Sequence, residues 1–433
     1  MRHLLLSLPL YLTSFLVQSQ TGAAIITELK SINQSVTSKS CGTDSAAAIS
    51  NRAMNVFLAD KTGYLSASSD LSFYTNYVTF NSAEGKFTVN HNFQKGTTGN
   101  DAPAKKLLSI GFDMTLSNNY AKSFLDKRFE NEIGVTVNYK WLGKVKTRFT
   151  DCSQNNVTQK QEMDALRAVM LAQLQIEILN KEADFKLAQM AIDSTGDAAK
   201  KIVQEKFYED LKSAYEEKFA TIQASLLTQT GNFKLISTSW TSISAYIPLL
   251  FPKYTVAPSL VTPFSDKHPY PLSIQLGHTR MWESAKMGRL FFTLNGMLLL
   301  NNSKLSYGLN KLNFSEYKSL GGTDMLHATD PGNNKLYIGQ YQTFITPSLT
   351  ARMVYFSSGS HVGISFLAEK SFSDYNLLNF KAGIPIVLIN SKKTPAVTIE
   401  CYALFLDITN KAGTAGKTSI GLGIGIPFSR LMY

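Results

Sequence analysis

From Ser419 to Phe428 the chain alternates almost without fault. Ile420, Leu422, Ile424, Ile426 and Phe428 share one parity, and Ser419, Gly421, Gly423 and Gly425 share the other. Successive side chains of a β-strand point to opposite faces, so this stretch has one apolar face and one lined by small or polar groups. The pattern is as clean in 107–116, where Leu108, Ile110, Phe112, Met114 and Leu116 oppose Ser109, Gly111, Asp113 and Thr115. It is equally clean in 133–141, where Ile133, Val135, Val137, Tyr139 and Trp141 oppose Gly134, Thr136, Asn138 and Lys140.

The same alternation recurs around Leu290–Leu298, Ile345–Tyr355, Val362–Ala368, Leu378–Leu388 and Val397–Ala403. It is weaker in 71–80, 86–93, 233–247 and 270–281. The count is about twelve strands, many near ten residues, the length that crosses a bilayer at a tilt. Aromatics collect at strand ends (Tyr139, Trp141, Tyr355, Phe428), as in interfacial girdles. The expected fold is an all-β transmembrane antiparallel barrel, favoured over a soluble sandwich, whose strands are shorter. One strand is less regular: the face opposite Leu290, Phe292 and Leu294 mixes Arg289, Thr293 and Asn295 with Phe291 and Met297.

The N-terminus fits export. Arg2 and His3 precede an apolar run from Leu4 to Val17, which ends in small and polar residues, the make-up of a signal peptide over 1–20. The remaining organisation is an N-terminal periplasmic segment over 21–62, barrel strands over 63–148, an inserted helical hairpin over 149–231, and further barrel strands over 232–433.

The insertion departs from the alternation entirely. Between 158 and 230, Ala, Leu, Glu, Lys and Gln dominate, and Leu171, Leu174, Ile178, Phe185, Ala188 and Ile192 recur at spacings of three and four. Val203, Phe207, Leu211, Ala214, Ile222 and Leu226 approximate the same spacing after a turn over 193–197. A coiled-coil-like antiparallel hairpin with arms of about 50 Å follows, at 1.5 Å rise per residue. Counting strand directions back from the C-terminus puts this hairpin on the periplasmic side, with the short connections. The long connections over 249–269 and 301–340 then lie outside. One strand fewer near 233–247 would move the hairpin to the cell exterior.

Charge and chemistry narrow the function. The formal net charge is +11, with a pI near 9.3 and a mean hydropathy of −0.07. In an exported chain this points to lipid phosphates, to anionic solutes, or simply to loops kept soluble by their charge, and no nucleic-acid partner is expected. Asp113, Lys140, Arg289, Arg352, Glu369, Lys381 and Glu400 all carry inward parity. A Lys or Arg facing lipid at mid-membrane would cost about 2–4 kcal/mol, so these charges line a lumen that is either salt-bridged shut or a narrow polar pore. Cys401 has lipid-facing parity, whereas Cys41 and Cys152 lie outside the strands and are the pair available for one disulfide. His91, His268, His278, His327 and His361 are scattered and read as loop or lumen-wall residues. No catalytic, cofactor-binding or metal-binding constellation is legible, and no enzyme or cofactor is expected.

The signal peptide, the alternating strands and the terminal stretch Gly421–Phe428 followed by Tyr433 resemble bacterial outer-membrane β-barrel proteins, with a Bacteroidetes-like flavour. The resemblance implies a place in the bacterial outer membrane, contact with its lipid, and insertion by the barrel-assembly machinery. It also implies a last-strand assembly signal, for which Ile424, Ile426 and Phe428 or Tyr433 are the candidates. Two functions follow from the sequence. One is a barrel that anchors the 158–230 hairpin as a docking or assembly element for a periplasmic protein of an envelope complex. The other is a channel or transporter for small solutes, anionic ones included.

Overall fold

The computed structural model describes residues 21–37, 49–67, 75–82, 85–93, 104–115, 124–125, 128–129, 132–149, 159–191, 197–250, 254–259, 262, 265–303, 309–313, 335–372, 376–391, 394–409 and 418–430. The expected signal peptide over 1–20, together with Cys41, Cys152, His327 and Tyr433, lies outside these residues.

Twelve strands form one ring. They are β1 (Thr75–Asn81), β2 (Lys86–Phe93), β3 (Lys106–Thr115), β4 (Ile133–Leu142), β5 (Leu235–Leu250) and β6 (Ser273–Ser284), followed by β7 (Gly288–Asn302), β8 (Thr343–Phe356), β9 (Gly363–Ser371), β10 (Leu378–Ile389), β11 (Pro395–Phe405) and β12 (Thr418–Arg430). Each pairs antiparallel with its neighbours in sequence. The ring closes where β1 pairs with β12, Phe80 opposite Ile424 and Val78 opposite Ile426. Closure removes the exposed sheet edge that lipid could not hydrogen-bond. A short piece, Lys146–Arg148, continues the line of β4 along the start of β5.

The outer face is apolar. Leu294, Leu298, Ile345, Leu349, Ile364, Phe366, Ile384, Leu388, Ile426 and Phe428 are all exposed large hydrophobics. In water such a surface would aggregate; around a closed barrel it is a lipid-facing belt. Cys401 stands on this face as a free, exposed thiol.

The two ends differ. At one end, four short strands from the long connections, Tyr254–Ala257, Ser265–Lys267, Asn310–Asn313 and Lys335–Ile338, make a small sheet. Its core is Val256, Leu309 and Tyr337. The other end carries the short connections 285–287, 357–362 and 390–394, and also the whole insertion between β4 and β5.

That insertion holds two long helices, α3 (Gln159–Ala191) and α4 (Asp197–Thr230), preceded in sequence by α1 (Gly22–Thr37) and α2 (Asn51–Gly63). The hairpin is therefore part of a larger helical unit. Ile25, Ile26 and Leu29 of α1 share a core with Leu171, Leu174 and Ile178 of α3 and Tyr208, Leu211, Tyr215 and Phe219 of α4. The buried side of α4 differs from the periodicity reading, since Val203 is 56% exposed and Ala214 is exposed while the tyrosines are buried. Tyr208 can be buried because its hydroxyl donates to Glu182 Oε1 at 2.7 Å.

Candidate functional site

Helix α2 lies across the hairpin-side mouth of the barrel, and the two are built for each other. Ser50 caps the helix by accepting from the Ala53 amide at 3.2 Å. Beyond the cap, Ala53, Met54, Asn55, Val56, Phe57, Leu58 and Ala59 are buried in succession. A helix buried on every side is enclosed by its surroundings. Its partners are inward-facing side chains of the barrel wall, including Leu107, Ile236, Trp240, Met281, Phe291, Val354, Phe356 and Val387. Phe291, 1% exposed, gives one reason for the mixed inner face of β7: at the hairpin-side end this face joins the core around α2. The other side of α2 meets α4 and the chain beyond it, where Ala220, Ala224, Leu227 and Phe233 join the same core. Gln223 Oε1 accepts from the Ser50 amide at 2.9 Å.

Charge pairs anchor the C-terminal end of α2. Glu283 and Arg289 flank the β6–β7 turn, both point inward, and they form an ion pair; Lys61 of α2 adds its ammonium 3.5 Å from Glu283. Burial, then the nearby Arg289 charge, pulls the Lys61 pKa down to about 8. Tyr64 follows, its ring edge-on to Phe356 at 5.2 Å, under the Arg289 guanidinium at 4.3 Å, and its hydroxyl 3.0 Å from His361 Nδ1. The chain then runs along the inner wall. Ser66 Oγ donates to Thr398 Oγ1 at 2.9 Å, and Thr398 donates to the Gly63 carbonyl at 3.1 Å. Gly425 makes this passage possible, because a Cβ there would stand inside the backbone of Ser66 and Ala67.

The seven inward charges fall into separate groups. Arg289 belongs to the mouth. Glu400 is held by Lys381 at 3.1 Å, Arg352 at 3.6 Å and a hydrogen bond from Ser365 at 2.5 Å. Asp113 accepts from Thr88 at 2.6 Å and from Thr136, with Lys86 at 3.5 Å. Glu369 accepts from Asn379 at 3.4 Å, and Lys140 is buried. Ile424, Ile426 and Phe428 point outward from β12. The histidine reading needs correction in two places. His278 and His91 both stand on the outer face, His278 with Nδ1 3.0 Å from Thr241 Oγ1 and His91 against the Phe93 ring.

The sequence reading did not pick out Lys61, Glu283 or Tyr64. Inward parity of both Glu283 and Arg289 across a three-residue turn was the available signal. It also saw a single apolar stripe on α3, where the helix has two. Opposite the buried face, Ala165, Val169, Ala172, Ile176, Leu179, Ala183 and Leu187 run along the exposed side at spacings of three and four. Val169 is 64% exposed, Ile176 62%, Leu179 50% and Leu187 67%. Along the middle of the row the flanking positions Ala168, Gln173, Gln175 and Asn180 are uncharged, while Glu162 and Lys186 put charges on the flanks at its two ends.

No protein-family model and no curated protein matches the sequence. Among solved structures, the beta domain of the Bordetella autotransporter Brka aligns over 82% of this chain and 98% of its own, with a TM-score of 0.29 and 8% identity. OmpT, an outer membrane protein of Vibrio cholerae, aligns over 82% and 94%, with a TM-score of 0.21 and 7% identity. The assignment rests instead on ring closure and the lipid-facing belt, which only a membrane-spanning barrel combines. The chain is a closed twelve-stranded membrane-spanning β-barrel.

Proposed function

We propose that this barrel is a non-enzymatic membrane anchor that presents its helical unit, on the periplasmic side, as a docking element for a partner protein of the cell envelope. The second stripe of α3 is the observation that carries this reading. Four large aliphatic side chains at heptad-like spacing are left in water along a helix whose other face is already packed. Such a row is a seam for a second helix, and the uncharged flanks of its middle turns suit a partner whose own seam is not bordered by strong charge there. A buried α2 at the mouth and ion-paired walls favour the anchor over a solute channel.

A photo-reactive amino acid placed at Ile176 in intact cells should form one discrete adduct. That adduct should disappear when Val169 and Leu179 are changed to Asp, and should not form from Lys181, which is exposed but off the seam. Equal labelling from Ile176 and Lys181, or none from either, refutes the docking reading. Discrete conductance of the intact chain in planar bilayers would favour the channel.

A further inference from the structure

The outer wall carries a second feature, at the hairpin-side ends of β3 to β6. Register sets it out row by row. Lys106 is opposite Trp141, and Trp141 is opposite Thr241, which faces His278. In the next row Ser239 is opposite Arg280, and in the one beyond it Lys146, Ser237 and Trp282 stand side by side. Arg148 closes the series opposite Leu235. Residues directly opposite in a sheet share a face, and the outward parity of Trp141, Arg280 and Trp282 puts the whole set outside the barrel. Lys106, Lys146, Arg148 and Arg280 are exposed, as is Lys144 in the adjoining connection. No Asp or Glu occupies an outward position in these rows. The Arg280 guanidinium lies over the Trp282 ring, 5.1 Å from its centroid.

Outward cations are costly at mid-membrane and nearly free at the interface, so this arc marks the level at which hydrocarbon gives way to headgroups. Trp141 and Trp282 on the same face suit that level, since indole rings collect at the boundary. Two guanidiniums and three ammonium groups, with the Ser237 and Ser239 hydroxyls between them, are donors matched to a phosphodiester oxygen pair.

We propose that this basic, tryptophan-flanked arc is a binding site for the phosphate headgroups of anionic phospholipid in the leaflet on the hairpin side. It fixes the rotational setting and depth of the barrel beneath its helical unit. Zwitterionic lipid has the same phosphate but a compensating cation, so the site discriminates by net headgroup charge.

The test titrates the full-length protein in zwitterionic detergent with phosphatidylglycerol or phosphatidylcholine and counts retained lipid by native mass spectrometry. The wild type should hold phosphatidylglycerol in preference. Lys106→Gln, Arg148→Gln and Arg280→Gln together should weaken that binding roughly a hundredfold, each basic group at a membrane surface contributing about fivefold. A control with Lys181, Lys200 and Lys201 changed to Gln loses the same charge on the distant helices and should bind like the wild type. Should the triple rim variant fail to give the compact, heat-modifiable band of a folded barrel, Arg280→Gln alone should still lose about fivefold. Equal retention of the two lipids, equal loss in the rim and control variants, or displacement of lipid by millimolar inorganic phosphate would each overturn the proposal. The last outcome would make free phosphate the ligand.

Discussion

Two glycines one pleat apart on β12 should answer the same substitution in opposite ways. Gly425→Ala places a methyl group inside the Ser66–Ala67 backbone, which must retreat by roughly an ångström to restore ordinary carbon contact. That retreat breaks the Ser66–Thr398 and Thr398–Gly63 hydrogen bonds, at about 1 kcal/mol each. Overpacking adds about 1–3 kcal/mol. The docking of α2 should therefore weaken by about 3–5 kcal/mol, the sum of those costs. At Gly423 the nearest atom to an added Cβ is the Ala67 carbonyl oxygen at 3.6 Å, an ordinary contact, so Gly423→Ala should change little. Amide hydrogen exchange of the 51–66 region, followed by mass spectrometry in detergent, reads local opening directly. Gly425→Ala should speed exchange there by about two to three and a half orders of magnitude, or to the limit of an undocked helix, at about 1.4 kcal/mol per decade. Exchange elsewhere in the barrel should stay unchanged. Wild-type protection in Gly425→Ala, or equal loss in both variants, would refute the placement of the 64–67 segment against β12.

Three further outcomes follow from the buried charges and the plug core. Lys61 titrates near 8 when docked and in the ordinary lysine range when released, so the released helix binds more protons between those values. Docking should be flat with pH below about 8 and strengthen as pH rises from there toward the ordinary lysine pKa, measured as α2 opening corrected for intrinsic exchange. Lys61→Met should remove that slope and leave docking equal or tighter, because Glu283 keeps Arg289; a persistent slope would place its origin elsewhere. Glu400→Gln strips the counter-charge from half-buried Arg352 and Lys381 and should destabilise the barrel by about 1.5–3 kcal/mol, the worth of hydrogen bonds to a charged group, seen as a lower temperature for loss of the compact band on gels. Phe57→Ala, at a side chain 1% exposed against Phe233, should cost about 3–5 kcal/mol of α2 docking without lowering the barrel's own unfolding temperature.

The barrel was legible because its signal is local. Each strand must be greasy on one side and polar on the other wherever it sits in the ring, so Leu108, Ile110 and Phe112 reveal their face without reference to any partner. The mouth was not legible for the converse reason. A stripe reading finds helices that have one wet side, and Asn51–Gly63 has none, because barrel wall and α4 enclose it together. The same limit hid the core tyrosines of α4. Tyr208 reads as polar until a carboxylate from another helix meets its hydroxyl.

Alternation by itself thus determined strand number, lipid-facing parity and the inward sense of Asp113, Lys381 and Glu400, since parity along one strand is a property of nearest neighbours. Only the tertiary structure decided which inward residues meet lumen and which meet helix, why β7 bears Phe291 where Thr293 follows, and that α3 keeps one apolar row packed and another bare. Those choices join residues hundreds of positions apart, as Thr398 and Ser66 are, and long-range packing leaves no period in the chain for a sequence to display.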